Sequence, residues 1–167
     1  PTVTTATAAE ALLAGWIPTS PRLGVYAHLP FCAERCGYCS FNTAPYTSGA
    51  MDRFLSALCG EIDLVAGLPW AAETTLHTVF LGGGTPSLAT EEQMAAVLDA
   101  LRRRFALAPG AEITVECNPE SVSRHRLEGY RRAGVNRISL GVQSLDDRIL
   151  QRLHRVHSAR QAHQAFE

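Results

Sequence analysis

Gly24-Val25-Tyr26-Ala27-His28-Leu29-Pro30-Phe31-Cys32-Ala33-Glu34-Arg35-Cys36-Gly37-Tyr38-Cys39 reads as a short buried strand running directly into a loop with three cysteines. The spacing of the thiols is C-x3-C-x2-C. Three thiolates on one loop can ligate three irons of a cubane cluster and leave the fourth iron without a protein ligand. An iron left open in this way can take a substrate or cofactor, which is what separates a catalyst from an electron carrier.

Other chemistries compete for the same residues. A structural zinc site wants four protein ligands, often as two C-x2-C pairs, and no second pair exists. His28 could complete such a set, but its alternation with Tyr26 marks it as a strand residue. Disulfides fit poorly, because five cysteines is an odd number and no secretory signal is read ahead of them. Spacings of four and three would also put the thiols on one helical face, yet Pro30 and Gly37 argue for a loop. Cys59, on an expected helix, and Cys117, at an expected strand end, read as small core residues.

A chain of 167 residues buries one core and fits a single domain or part of one. It starts at Pro1 and stops at Glu167 inside a helical pattern, so the expectation is a piece of a longer protein. A net charge of −1 gives no overall argument for nucleic acid or a membrane surface. Between Val122 and Phe166, nine arginines face three acids, a pattern read first as solvated helix faces and second as attraction for an anionic ligand. No stretch approaches the length of a spanning helix, so a soluble protein is expected. An exposed thiolate site needs a reducing compartment, which points to the cytoplasm.

Residues 1–21 are rich in Ala and Thr and form an expected loose lead-in, with room for one short helix; residues 22–167 are the expected core domain. Strands are expected at Leu23–Leu29, Thr78–Leu81, Glu112–Cys117 and Asn136–Val142. Helices are expected from about Ala50 to Gly67, from the Thr90 cap to about Phe105, and from Ser123 to Ala133, where Gly134 ends the pattern. Two further helices follow, Asp146–Leu153 and Ser158–Phe166. Strand and helix alternate four times, which demands a parallel α/β sheet with crossover helices, either open or part of a barrel. In both architectures ligands gather at the carboxyl ends of the strands.

The unusual residues fall at those ends. Strand one leads to the cysteines, and strand two to Gly82-Gly83-Gly84-Thr85-Pro86, where glycines allow close backbone approach. Strand three ends in Glu116-Cys117-Asn118-Pro119, with a carboxylate that should face a ligand, an arginine or an internal ion-pair partner. Strand four ends in Gly141-Val142-Gln143-Ser144, with an amide where a core residue is the default. Four such features at equivalent positions describe a site.

In this order the stretches closely resemble the radical S-adenosylmethionine (SAM) superfamily, and more narrowly the oxygen-independent coproporphyrinogen III oxidase-like family. The matching stretches are Tyr26 to Cys32, Cys36-Gly37-Tyr38-Cys39, Gly82 to Pro86, Glu116 to Glu120 and Arg137 to Ser144. The resemblance implies a partial (β/α)6 barrel, of which this chain holds the first four βα units. It implies a 4Fe-4S cluster on Cys32, Cys36 and Cys39, with SAM on the free iron, cleaved by one electron to methionine and a 5′-deoxyadenosyl radical. It also implies that Tyr26, Gly83 and Glu116 lie near that SAM and that Tyr38 packs beside the cluster and adenine. Gly84, Thr85, Gln143 and Arg155 match positions lining a SAM site in the decarboxylating oxidase, some of them for a second SAM.

Within the family, coproporphyrinogen III dehydrogenases carry a Cys-Gly-Cys-Asn run, whereas this chain has Cys39-Ser40-Phe41-Asn42. That run resembles the heme chaperone branch, which implies heme or another tetrapyrrole as cargo, heme-acceptor proteins and an electron donor as partners, and no decarboxylase activity. The competing expectations are the oxidase itself and, from another class, a non-catalytic zinc or iron–sulfur module. His154 and His157 suggest a heme or metal pair, but surface or capping histidines are the favoured reading.

Overall fold

The computed structural model describes Gly15 and residues 18–47 and 49–167; most of the expected lead-in lies outside the described residues. Its principal sheet has four parallel strands in the order β1-β4-β5-β6. These are β1 (Arg22–Leu29), β4 (Thr75–Gly83), β5 (Ala106–Cys117) and β6 (Arg137–Leu140). Strands β2 (Phe31–Cys32) and β3 (Ala44–Pro45) form a separate parallel pair inside the cysteine loop. The crossovers are helices α1 (Ala50–Ala66), α2 (Glu91–Arg104) and α3 (Arg124–Ala133), followed by α4 (Asp147–Arg152) and α5 (Ala159–Phe166). This is the α/β architecture expected from the alternation of strand and helix.

Register explains the two faces of the sheet. Side chains alternate along a strand, and Val25, Ala27 and Leu29 share a face with Val79 and Leu81, and with Ile113, Val115 and Cys117. That face packs in one core with Met51, Leu55 and Ile62 of α1, Met94, Val97, Leu98 and Leu101 of α2, and Tyr130 of α3. The Tyr130 hydroxyl, fully buried, donates to Ala89 O at 2.6 Å, which satisfies its one polar atom. The opposite face carries Tyr26, His28, Phe80, Gly82, Thr114, Glu116 and Ser139, polar or aromatic groups in place of an aliphatic layer.

Local chemistry fixes the ends of the helices. Thr90 caps α2 in a reciprocal box with Gln93, as the Thr-x-x-Gln pattern predicts. Ser123 caps α3, and Gly134 closes it in the left-handed region at φ 103°. Because the sheet is parallel, Leu29, Gly83, Cys117 and Leu140 all end at one edge. The connections that leave this edge build the site.

Candidate metal centre and binding cavity

The cysteine loop is held by backbone bonds that a loop of its composition would not suggest. Ala44 N donates to Pro30 O and Tyr46 N to Cys32 O, both at 2.8 Å, closing the loop back on itself. Gly84 N and Thr85 N donate to Leu29 O and Phe31 O, again at 2.8 Å, so the glycine turn after β4 lies against the base of the loop. A Cβ at Gly84 would sit 2.6 Å from both Phe31 O and Pro30 O, so only glycine permits this approach. Gly83 adopts φ 117°, which other residues rarely do. The cysteines do not form a helix; a turn joins Cys39 N to Cys36 O at 3.1 Å.

Cys32, Cys36 and Cys39 are unbridged and partly exposed, and all three border one cavity of about 420 Å³ at the carboxyl edge of the sheet. The same cavity is lined by Tyr38, Gly83, Gly84, Thr85, Glu116, Gln143 and Arg155. Every expected site residue but Tyr26 therefore borders it. Tyr26 lies one step back along the same face of the sheet and is exposed, stacked on Phe80 at 6.0 Å between centroids and close to Glu116. A larger cavity, about 810 Å³, is bordered by α3, β6 and α5; it contains none of the cysteines and none of the expected site residues.

Burial is the main force raising the Cys32 thiol pKa; its neighbours Cys39 and Cys36 add to the rise, while the Thr85 hydroxyl and the Arg155 guanidinium oppose it. Burial likewise raises the Tyr38 and Tyr26 hydroxyls, with the Glu116 carboxylate contributing at Tyr26. Glu116 Oε2 accepts the Gly83 N–H at 3.1 Å, and no ion pair among the described residues includes Glu116. Glu116 borders the cavity. Gln143 is exposed at φ 65°.

Three thiols bordering one cavity suit a core that offers one iron to each sulfur. His28 is not among them, since it bonds Tyr26 Oη at 3.1 Å and Asn42 O at 2.8 Å.

Two features depart from the sequence reading. His157 is not a surface residue but is buried, with Nδ1 3.2 Å from Glu120 Oε2 and Nε2 3.0 Å from Val142 O. A buried imidazole needs partners, and two acceptors converge on this one. Asn118 had no assigned role, yet it touches both Thr85 and Arg155. Its position immediately after β5, at the same level as the glycine turn, was the signal available. Cys117 is buried as expected, and Cys59 packs partly buried against the core.

A parallel α/β sheet with a three-cysteine loop and polar strand ends defines a class, and the comparisons name it. Residues 26–167 match the Radical SAM superfamily, and the chain belongs to that superfamily. A heme chaperone (HemW) of Mycobacterium tuberculosis is 49% identical over 145 residues, covering 85% of this chain and 36% of that protein. The HemW of Escherichia coli is 41% identical, over 87% of this chain and 38% of its own length. A mitochondrial radical S-adenosyl methionine domain-containing protein 1 of Bos taurus is 44% identical, over 89% and 33%. The solved structure of Escherichia coli coproporphyrinogen III oxidase (HemN) superposes with a TM-score of 0.83 at 27% identity, over 96% of this chain and 36% of that one. The chain thus spans about a third of the length of these relatives. Superfamily membership implies an iron–sulfur cluster and SAM. No helix among the described residues is long and apolar enough to cross a membrane.

Proposed function

We propose that this chain is the amino-terminal part of a radical SAM heme chaperone, an iron–sulfur protein that binds heme and transfers it to acceptor proteins. The observation that carries the reading is the single cavity bordered by Cys32, Cys36 and Cys39 together with Gly83, Gly84, Thr85, Glu116, Gln143 and Arg155. The identities to proteins named heme chaperones support the choice of branch, as does Phe41 in place of a fourth loop cysteine.

When bound, a cluster on the three cysteines supplies one electron and one open iron to SAM. The protein's own groups bind and orient. The cavity places the glycine turn, where no side chain blocks close approach, beside a carboxylate, a suitable setting for a zwitterionic amino acid moiety. Glu116 is aimed to accept from an ammonium or hydroxyl, and Tyr38 offers a ring face beside Cys36. Residues 22–167 form the amino-terminal part of the core domain, and residues 1–21 precede it. The exposed thiols fit a reducing cytoplasm. An electron donor, heme-acceptor proteins and the groups that ligate heme belong to the whole protein.

The test is anaerobic reconstitution of the full-length protein, followed by optical spectra with heme and an assay with coproporphyrinogen III. The chaperone reading expects a heme-dependent absorption band and no decarboxylated product. Turnover to protoporphyrinogen would establish the oxidase instead.

A further inference from the structure

A continuous run of hydrogen bonds joins two of the three cysteines through groups outside the loop. Thr85 Oγ1 donates to Cys32 Sγ at 3.8 Å, and Asn118 Nδ2 donates to Thr85 Oγ1 at 3.2 Å. Asn118 Oδ1 accepts from Arg155 Nη2 at 2.7 Å, and Arg155 Nη1 donates to Cys36 Sγ at 3.2 Å. At each end the donor is directed at a sulfur, so the run favours electron-rich sulfur at Cys32 and Cys36. Among the described residues no side chain donates to the Cys39 sulfur; Arg35 bonds the Cys39 carbonyl instead, at 3.2 Å.

Arg155 is fixed in this role by its surroundings. Nη2 also donates to Gly141 O at 2.9 Å, at the end of β6. Nε is buried with no acceptor. Both N–H groups of Nη2 are thus engaged by protein oxygens, and Nη1 is turned toward the Cys36 sulfur. The segment around it is anchored on both sides. The His154 ring, on a residue at φ 54°, stands over Gly37, where a Cβ would lie 2.7 Å from Nδ1. His157 is clamped between Glu120 and Val142 O. The histidine pair flanks the arginine and holds it in place.

We infer that Asn118 and Arg155 are positioning residues for the iron–sulfur centre: through Thr85 they bridge Cys32 and Cys36, set the separation of the two sulfurs and raise the reduction potential of the bound cluster. This rests on the cluster reading above. Hydrogen bonds and positive charge at cluster sulfurs stabilise the reduced cluster, which carries one more negative charge, more than the oxidised cluster, so they ease reduction.

The test is EPR-monitored potentiometry on the full-length, anaerobically reconstituted protein without SAM, comparing wild type with Asn118→Ala and Arg155→Gln. Both variants should take a more negative midpoint potential. For Arg155→Gln the oxidised-to-reduced ratio at the wild-type midpoint should rise about tenfold, about 59 mV for a one-electron couple. The double variant should shift less than the sum of the two, because both act through one chain of bonds. A wild-type midpoint in either variant at full iron content overturns the inference. If Arg155→Gln does not fold, Asn118→Ala decides alone, since it leaves the Arg155 contacts to Cys36 and Gly141 in place. A wild-type protein that assembles no iron–sulfur cluster would instead overturn the proposed function, which separates the two failures.

Discussion

Glu116, partly buried at the end of β5, is the residue on which the proposed function makes its sharpest prediction. Its Oε2 takes the Gly83 amide, and the Tyr26 and Phe80 rings crowd the same strand position, where a Cβ at Gly82 would lie 2.9 Å from both the carboxylate and Phe80. Glu116→Ala should retain the cluster's visible absorption and weaken SAM binding by about tenfold or more, since a hydrogen bond to a charged group contributes about 1.5–3 kcal/mol; isothermal titration of the reconstituted full-length protein measures it. Unchanged affinity would make Glu116 purely structural. The cysteines divide in a similar way. Burial pushes the Cys117 thiol up to about 12, so at pH 8 almost none of it is thiolate, the reactive form. Mass spectrometry after iodoacetamide treatment of the metal-free, folded protein should find Cys117 unmodified and Cys32, Cys36 and Cys39 alkylated, and cluster loading should protect the latter three. At this scale the strand-end residues were legible because polar groups interrupt apolar runs. Asn118 and His157 were not, since their roles depend on partners 33 to 37 residues away for Asn118 and 15 to 37 away for His157.

The elements were readable wherever a local signal marked them. Thr90 with Gln93, and Gly134 after α3, announced their helix ends, and the cap geometry follows. Thr90→Ala removes the side-chain acceptor for Gln93 N and should destabilise the fold by about 1 kcal/mol, read as a thermal midpoint lower by about 3 °C; an unchanged midpoint would show that the α2 cap carries no stability. The start of β5 was hidden by its own turn signal. Pro109-Gly110 reads as a break, yet Ala106 and Leu107 already pair with Thr75 and Leu76 before the register jumps to Thr78 with Glu112. The intervening residues bulge, with Gly110 at φ 73°. The β2–β3 pair was equally invisible, because two-residue strands have no periodicity to detect.

Across the whole molecule, parallel strand order does the organising. It brings four loop starts from residues 30, 84, 118 and 141 to one edge, which is why alternation of strand and helix was enough to foresee a shared site. What alternation could not supply is the return of residues 154–157 onto the loop that begins over a hundred positions earlier, since Arg155 reaches Cys36 across 119 positions. That contact makes the strand-end segments and the cysteine loop one unit.

The most direct measurement is the EPR spectrum of the dithionite-reduced, reconstituted full-length protein, recorded with and without SAM. Three cysteines and an open iron predict a reduced four-iron signal whose g values shift when SAM is added, and Cys36→Ala should lose the signal. A spectrum indifferent to SAM, or a Cys36→Ala protein with the wild-type signal, would contradict the account.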